Sequence, residues 1–272
     1  MARGVSSKPE GFAGTVLADI DWTQPWFAPW RDWGEPTVHA ALQQHSVAEA
    51  LNAWPTRGMG DPQVNLRQVK FVAQSELPHG QAYEDFIFNT SQVPTRDGLH
   101  DFFNGLCWHR FPKAKRRLNQ LQAAEIQAQG VRATRGPVRD ALTLFDENVV
   151  LMYAPDEVWV ALQARDWVKL FVDLREQWQQ VHLVLFGHAL LEKLITPYKS
   201  ITGHVYRVDN EVHPQDDAAL DDWLVRDLLP SKLATKPFEP LPVLGVPNWW
   251  PDNASAFFYD DAQVFRPKRV RA

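Results

Sequence analysis

VPTRDGLHDFFNGLCWHRFPKAKRRLNQLQ, residues Val93–Gln122, packs apolar, titratable and basic side chains more densely than the rest of the 272-residue chain. Leu99, Phe102, Phe103 and Leu106 recur at the i, i+3, i+4, i+7 spacing of one buried helical face. Thr95 is placed to cap that helix, with Asp97 near the positive end of its dipole. Pro112 lacks an N–H and suits only the first turn of a helix. The stretch therefore predicts two helices meeting at Pro112, the second carrying Leu118, Leu121 and Glu125 and stopping at Gly130. His100 and Asn104 stand one turn apart on the first and can address one ligand.

Around this pair the pattern is mixed. Val149–Tyr153 is apolar and β-branched enough for a buried strand, and Val69–Ala73 and Thr202–Val208 read as further strands. Tyr83–Phe88 is ambiguous, and Val181–Phe186 fits either a strand or the front of a helix that continues through His188 and Glu192. Helices are expected over Val38–Ala53, Val138–Phe145, Val158–Leu162 and Asp166–Trp178, with another opening at Pro214. The fold class that follows is α+β, a predominantly helical single domain with a few short strands. Residues 1–18 are expected to be a partly disordered tail, 19–250 the domain and 251–272 a C-terminal tail. Thr56–Pro62 is glycine-rich loop. Six prolines between Pro230 and Pro251 predict an extended surface wrap. Asp21–Gly34, with four tryptophans around Pro25 and Pro29, reads as a turn-rich arm. Such an arm stacks on sugars or bases, or packs on its own domain; the second is expected, because large exposed apolar patches are rare.

Composition excludes several classes. Hydrophobic residues make up 45% of the chain, enough to bury a core, and the net charge of -5 gives no global case for nucleic acid or an acidic membrane. A single cysteine, Cys107, rules out an internal disulfide and a multi-cysteine metal site, and reads as a buried, inert thiol. No run approaches the length of a membrane span. A cytoplasmic protein is the default expectation. Neither phosphate-loop signature is present, nor is a serine-nucleophile elbow or a zincin motif.

Four segments taken together, the opening stretch with RGPVRDALTLFDEN, FGHALLEKLITPYKSITGH and LPVLGVPNWW, resemble a bacterial family catalogued as a domain of unknown function, number thirty twenty-five. The resemblance runs from about Asp19 to Trp250. It implies no activity, cofactor or catalytic residue. Asn148-Val149 stands where that family's pattern has a glycine after the acidic pair.

Three constellations can carry chemistry. His188 and Glu192 share a helical face, His204 follows in ITGH, and His100 or Asp101 can complete a site for a divalent metal such as zinc. Asp140, Asp146 and Glu147 beside Arg139 form a second cluster, suited to magnesium or to general-base work, or to a solvated turn. The third is basic. From Arg96 to Arg139 nine basic side chains face three acidic ones, a net of +6 that leaves -11 for the rest of the chain. Arg110, Lys113, Arg116, Arg117 and Arg135 are its candidate anion-binding residues. Asp209–Asp227 carries seven carboxylates against Arg226 and is positioned by sign to neutralise that block. Two functions stay open. One is a hydrolase whose His/Asp/Glu pocket, with or without a metal, activates water, drawing on His100, Asp101, Asn104, His188, Glu192, His204, Arg139 and Asp140. The other is a non-catalytic binder of nucleic acid or phosphate through Arg110–Arg139.

Overall fold

The structure, a computed structural model, describes residues 14–54, 69–129, 136–209 and 211–268. Its centre is the first helix of the opening stretch, α5 (Leu99–Arg110). Every residue from Asp101 to His109 on it is buried. A helix apolar on one stripe needs one partner; this one is covered all round and holds its polar groups by pairing them inside. Around it lie α1 (Gly14–Ala18), α2 (Arg31–Gln44), α3 (Val47–Asn52), α4 (Tyr83–Thr90), α6 (Pro112–Gln129) and α7 (Pro137–Asn148). The chain continues with α8 (Asp156–Ala164), α9 (His188–Lys193), α10 (Asp217–Asp227) and α11 (Pro230–Ala234).

Among the described residues six short strands complete the α+β fold. β1 (Lys70–Ala73) and β2 (Gln92–Thr95) pair in parallel. β3 (Val149–Tyr153), β4 (His182–Leu185), β5 (Thr202–Arg207) and β6 (Glu239–Pro242) form a second sheet in the order β4-β3-β5-β6. Only the β3–β5 pair is parallel. β3 is buried at all five positions, as its continuous apolar run requires. Pro240 and Pro242 fall on the edge strand β6, where a missing N–H costs no ladder bond.

Several local expectations are corrected. Thr95 ends β2, its hydroxyl donating to the Val93 carbonyl at 2.8 Å, and the residue capping α5 is Gly98. Asp97 instead accepts from the Val47 N–H, 2.8 Å, fastening the start of α3. The helix expected over Val38–Ala53 breaks at His45, which adopts φ 54°, and restarts behind Ser46, whose hydroxyl accepts from Glu49 N–H. Half of the tryptophan arm is helical, since Pro25 and Pro29 precede α2 and Pro36 is tolerated within it. Trp22, Trp26, Trp30 and Trp33 are all buried, so the arm packs on its own domain. Asp166–Trp178 is not one helix: Lys169–Asp173 widens into a π-turn, with Leu174 N–H bonded to the Lys169 carbonyl, and Arg175–Gln180 tightens into 3-10. The helix read at Pro214 begins at Asp217, capped by Asp216. The proline-rich segment is no surface wrap, because Leu241, Val243, Leu244 and Val246 are core residues. Beyond Trp250, Phe258, Tyr259 and Phe265 are also buried. Gly130 and the Thr56–Pro62 loop lie outside the described residues.

Among the described residues no helix is long and apolar enough to cross a membrane. Two side chains of the basic block, Arg110 and Lys113, are paired by α10. Arg110 makes a two-pronged pair with Asp217, both bonds 2.9 Å, and lies over Trp30 and Phe111. Lys113 pairs with Asp222 at 2.6 Å. Buried Asp221 accepts from the Lys113 and Ala114 backbone N–H groups, 3.0 and 2.7 Å, so a carboxylate closes the positive end of α6. Arg117 donates to the Leu228 carbonyl, and burial lowers the pKa of Arg116. Arg135 lies outside the described residues. Part of the positive charge that stands out in the sequence is thus met at a helix–helix seam, and part inside the fold, where Arg96 pairs with Asp101 and Lys115 with Asp146.

Candidate metal centre

Three elements meet at the open end of α5. His100 comes from its first turn, Glu147 from the last turn of α7, and His188 opens α9 directly after the sheet strand β4. One ligand atom from each lies within 4.8 Å of the others. His100 Nε2 and His188 Nε2 are 3.1 Å apart, and His188 Nε2 is 3.5 Å from Glu147 Oε2. Metal–ligand bonds of about 2.0–2.1 Å at tetrahedral angles separate neighbouring donor atoms by about 3.3 Å. The two edges that meet at His188 bracket that value, and the three donor atoms together lie within 4.8 Å of one another.

The outer nitrogen of the His100 ring is also held in place. His100 Nδ1 bonds Glu192 Oε2 at 2.9 Å, which fixes the ring and turns Nε2 toward His188. That hydrogen bond raises the His100 pKa against its partial burial. His188 is buried, and burial drives its pKa down to about 3, so it is neutral at pH 7. Its Nδ1 lies beside the Asp146 backbone without a well-formed bond. Glu147 is pushed up by burial, then by the adjacent Asp146 charge. Asp146 is half-buried, and desolvation alone would raise it, but Lys115 holds it low. Lys115 Nζ, itself buried, donates to Asp146 Oδ1 and to Asn104 Oδ1, the second at 2.7 Å. Asn104 Nδ2 in turn donates to Tyr83 Oη at 3.2 Å. A neutral and a poised imidazole, a raised carboxyl and a buried cationic support behind them make a donor set for a divalent cation.

Of the residues singled out in the sequence, His100, His188 and Glu192 come together. Glu192 stands behind His100 rather than beside His188, so it orients a donor. Asp101 is elsewhere: it accepts from the Arg96 backbone N–H and pairs with the Arg96 guanidinium, closing the loop before α5. Asn104 belongs to the Lys115 support and does not share a ligand with His100. His204, on β5, lines a separate concavity. Arg139 and Asp140 lie about 12 Å along α7 from Glu147, at 1.5 Å per residue; Asp140 pairs with Lys236 at 3.4 Å on the surface. Glu147 was grouped with an acidic turn. It ends a helix instead, and that helix carries it into the histidine pair. Cys107 is buried, its Sγ 3.1 Å from the Phe186 carbonyl, and burial pushes the thiol up to about 12.

Gly187 makes the convergence possible. Its φ is -64°, so no special backbone is needed; the reason is space. A Cβ there would stand 2.5 Å from Asn148 Cα and 2.6 Å from the Glu147 carbonyl oxygen. Gly187→Ala is expected to cost about 1–3 kcal/mol in a thermal melt, because α9 or the end of α7 must move. A melting temperature equal to the parent's would contradict that close approach.

No curated protein and no solved structure matches the chain. A family model matches residues 69–269, a span holding His100, Glu147, His188 and Glu192, and the chain belongs to the family described as protein of unknown function (DUF3025).

Proposed function

We propose that this protein is a metal-dependent hydrolase whose divalent cation, zinc by the nature of the donors, is held by His100, His188 and Glu147. The observation that carries the reading is the meeting of donor atoms from His100, Glu147 and His188 within 4.8 Å of one another, with the His100 ring turned into the cluster by its Nδ1 bond to Glu192. Imidazole and carboxylate suit zinc, and three protein donors leave a fourth position for water, whose pKa such an ion lowers to about 7. His100 and Glu147 side chains retain 35% and 31% of their exposure, so that position faces solvent. Within the chain, Glu192 holds the His100 tautomer, and Lys115 with Asp146 fixes the end of α7 that carries Glu147. A cytoplasmic setting is part of the proposal, supported by one cysteine that is buried and unpaired.

The activity test is hydrolysis of an activated ester, p-nitrophenyl acetate, by chelator-treated protein with and without added zinc. Zinc-restored turnover is expected, falling about 100-fold or more in His188→Ala and Glu147→Gln. Turnover that is indifferent to zinc and to both substitutions would refute it. Metal affinity also carries a pH signature. Donors must be deprotonated, and His100 holds its proton to a higher pH than an ordinary histidine. Zinc affinity is therefore expected to fall as pH drops through the raised His100 pKa. Glu192→Gln is expected to move that fall to lower pH while weakening binding about tenfold above it. Zinc titrations across the pH range check both; an unmoved profile would contradict the assigned role of Glu192.

A further inference from the structure

The seam with α10 pairs Arg110 and Lys113 of the basic block, and a second positive region lies elsewhere. At the β6 edge of the four-stranded sheet is a concavity of about 680 Å³, and neither Asp nor Glu is among its lining residues. Arg165, Lys236 and Arg266 bring cationic side chains to it, and His204 contributes an imidazole from β5. In a chain of net charge -5, three cations around one cavity are a local reversal of sign. The nearest compensation is thin: Lys236 meets Asp140 at 3.4 Å with both side chains half exposed. Glu239 feels Arg165 and Lys268, yet burial keeps its carboxyl raised.

Two polar atoms here lack any hydrogen-bond partner among the described residues although they are buried, Arg165 Nε and His204 Nδ1. A buried polar atom left unpaired costs about 1–3 kcal/mol, so neither side chain is fully satisfied by the fold itself. Arg266 spends its Nε on the Gln263 carbonyl at 2.8 Å, which orients the rest of its fork. The walls between the charges are apolar and rigid. Trp167 stacks on Phe171 at 10° between planes and donates its Nε1–H to the Arg266 carbonyl at 2.8 Å; Phe238 and the β6 prolines line the cavity with it. Size, preformed apolar walls and a few convergent donors are the attributes of a small-molecule site, which occupies about 300–1,000 Å³. Guanidinium forks match carboxylate and phosphate oxygens in pairs.

We infer that this cavity binds a small organic anion, a carboxylate or phosphate carried on a flat apolar body, with Arg165 and Arg266 on the anionic group and Trp167 and Phe238 against the body. The inference stands apart from the metal centre, since none of its residues belongs to that cluster.

Isothermal titration of the full chain with phenyl phosphate is expected to show saturable one-site binding. Benzoate should bind the same site, and inorganic phosphate and benzyl alcohol at least about tenfold more weakly than phenyl phosphate, each lacking one half of the recognised group. Arg165 and Lys236 have φ of 53° and 52°, so asparagine, which tolerates that backbone, is the replacement at either. Arg165→Asn and Arg266→Gln are each expected to weaken phenyl phosphate about tenfold, and His188→Ala to leave it unchanged. Lys236→Asn replaces either variant whose melting temperature shows that it has not folded. Four results would each overturn the inference: no saturable binding, equal affinity for inorganic phosphate, affinity unmoved by the cavity substitutions, or loss of binding in His188→Ala.

Discussion

Lys115→Ala is expected to lower the folding free energy by about 3–5 kcal/mol, the cost of removing one partner from a buried ion pair. The Lys115 side chain is 3% exposed, and its ammonium supports Asp146 and Asn104 while lying 5.6 Å from the Trp108 ring. Alanine leaves a half-buried carboxylate and a buried amide oxygen without their donor. Burial then dominates at Asp146 and raises its carboxyl above the unfolded value. Its penalty is fully present above the raised pKa and relieved as pH falls through it, so the variant should recover part of its loss in acid. Lys113→Ala is the contrast, because Lys113 and Asp222 remain 32% and 47% exposed. A pair so open to water is worth at most about 1 kcal/mol. Urea unfolding of both variants at neutral and acid pH separates the cases. A Lys115→Ala loss no larger than that of Lys113→Ala would show that the pair behind the site is not structural.

The second large effect is acid destabilisation at His109. Its ring is stacked on Trp33 at 8° between planes and tilted against Phe71, with Nε2 3.0 Å from the Leu51 carbonyl. Burial lowers its pKa to about 4 from the ordinary 6.5, against the opposing hydrogen bond to Leu51. Above pH 6.5 both folded and unfolded chains carry it neutral, and its contribution is complete. As pH falls from 6.5 toward 4 the unfolded chain takes the proton and the folded one does not, so stability drains by about 3 kcal/mol across that window. His109→Asn retains a donor but does not titrate. It is expected to be less stable than the parent at neutral pH and to lose less between pH 6.5 and 4. Equal slopes for the two proteins, measured by denaturant unfolding along a pH series, would count against this assignment.

Much of the architecture was legible because it rests on local periodicity. The pair of helices at Pro112, the buried strand at Val149–Tyr153, the helix bearing His188 and the strand at Thr202 all follow from spacing or β-branched runs. What was not legible depended on packing. Pro25 and Pro29 argued against a helix in the tryptophan arm, yet a proline restrains only its own turn, and the helix begins after both. Proline content also argued for a surface strand after Pro230, whereas Leu241 and Val243 alternate into the core and the prolines take the sheet edge. At the site, His100, His188 and Glu192 were found by residue type and helical spacing. Glu147 was assigned to a different cluster because only the register of α7 against α9, set by the close approach at Gly187, brings it to the histidines. The charge asymmetry was countable; its neutralisation by Asp217, Asp221 and Asp222 required a tertiary neighbour.

The central claim is that His100, His188 and Glu147 form one metal site, and zinc binding tests it most directly. Chelator-treated protein titrated with zinc at neutral pH, with bound metal measured by elemental analysis after gel filtration, is predicted to retain one equivalent and to lose it in His188→Ala. Protein that retains no zinc, or a His188→Ala variant that retains as much as the parent, would contradict the claim.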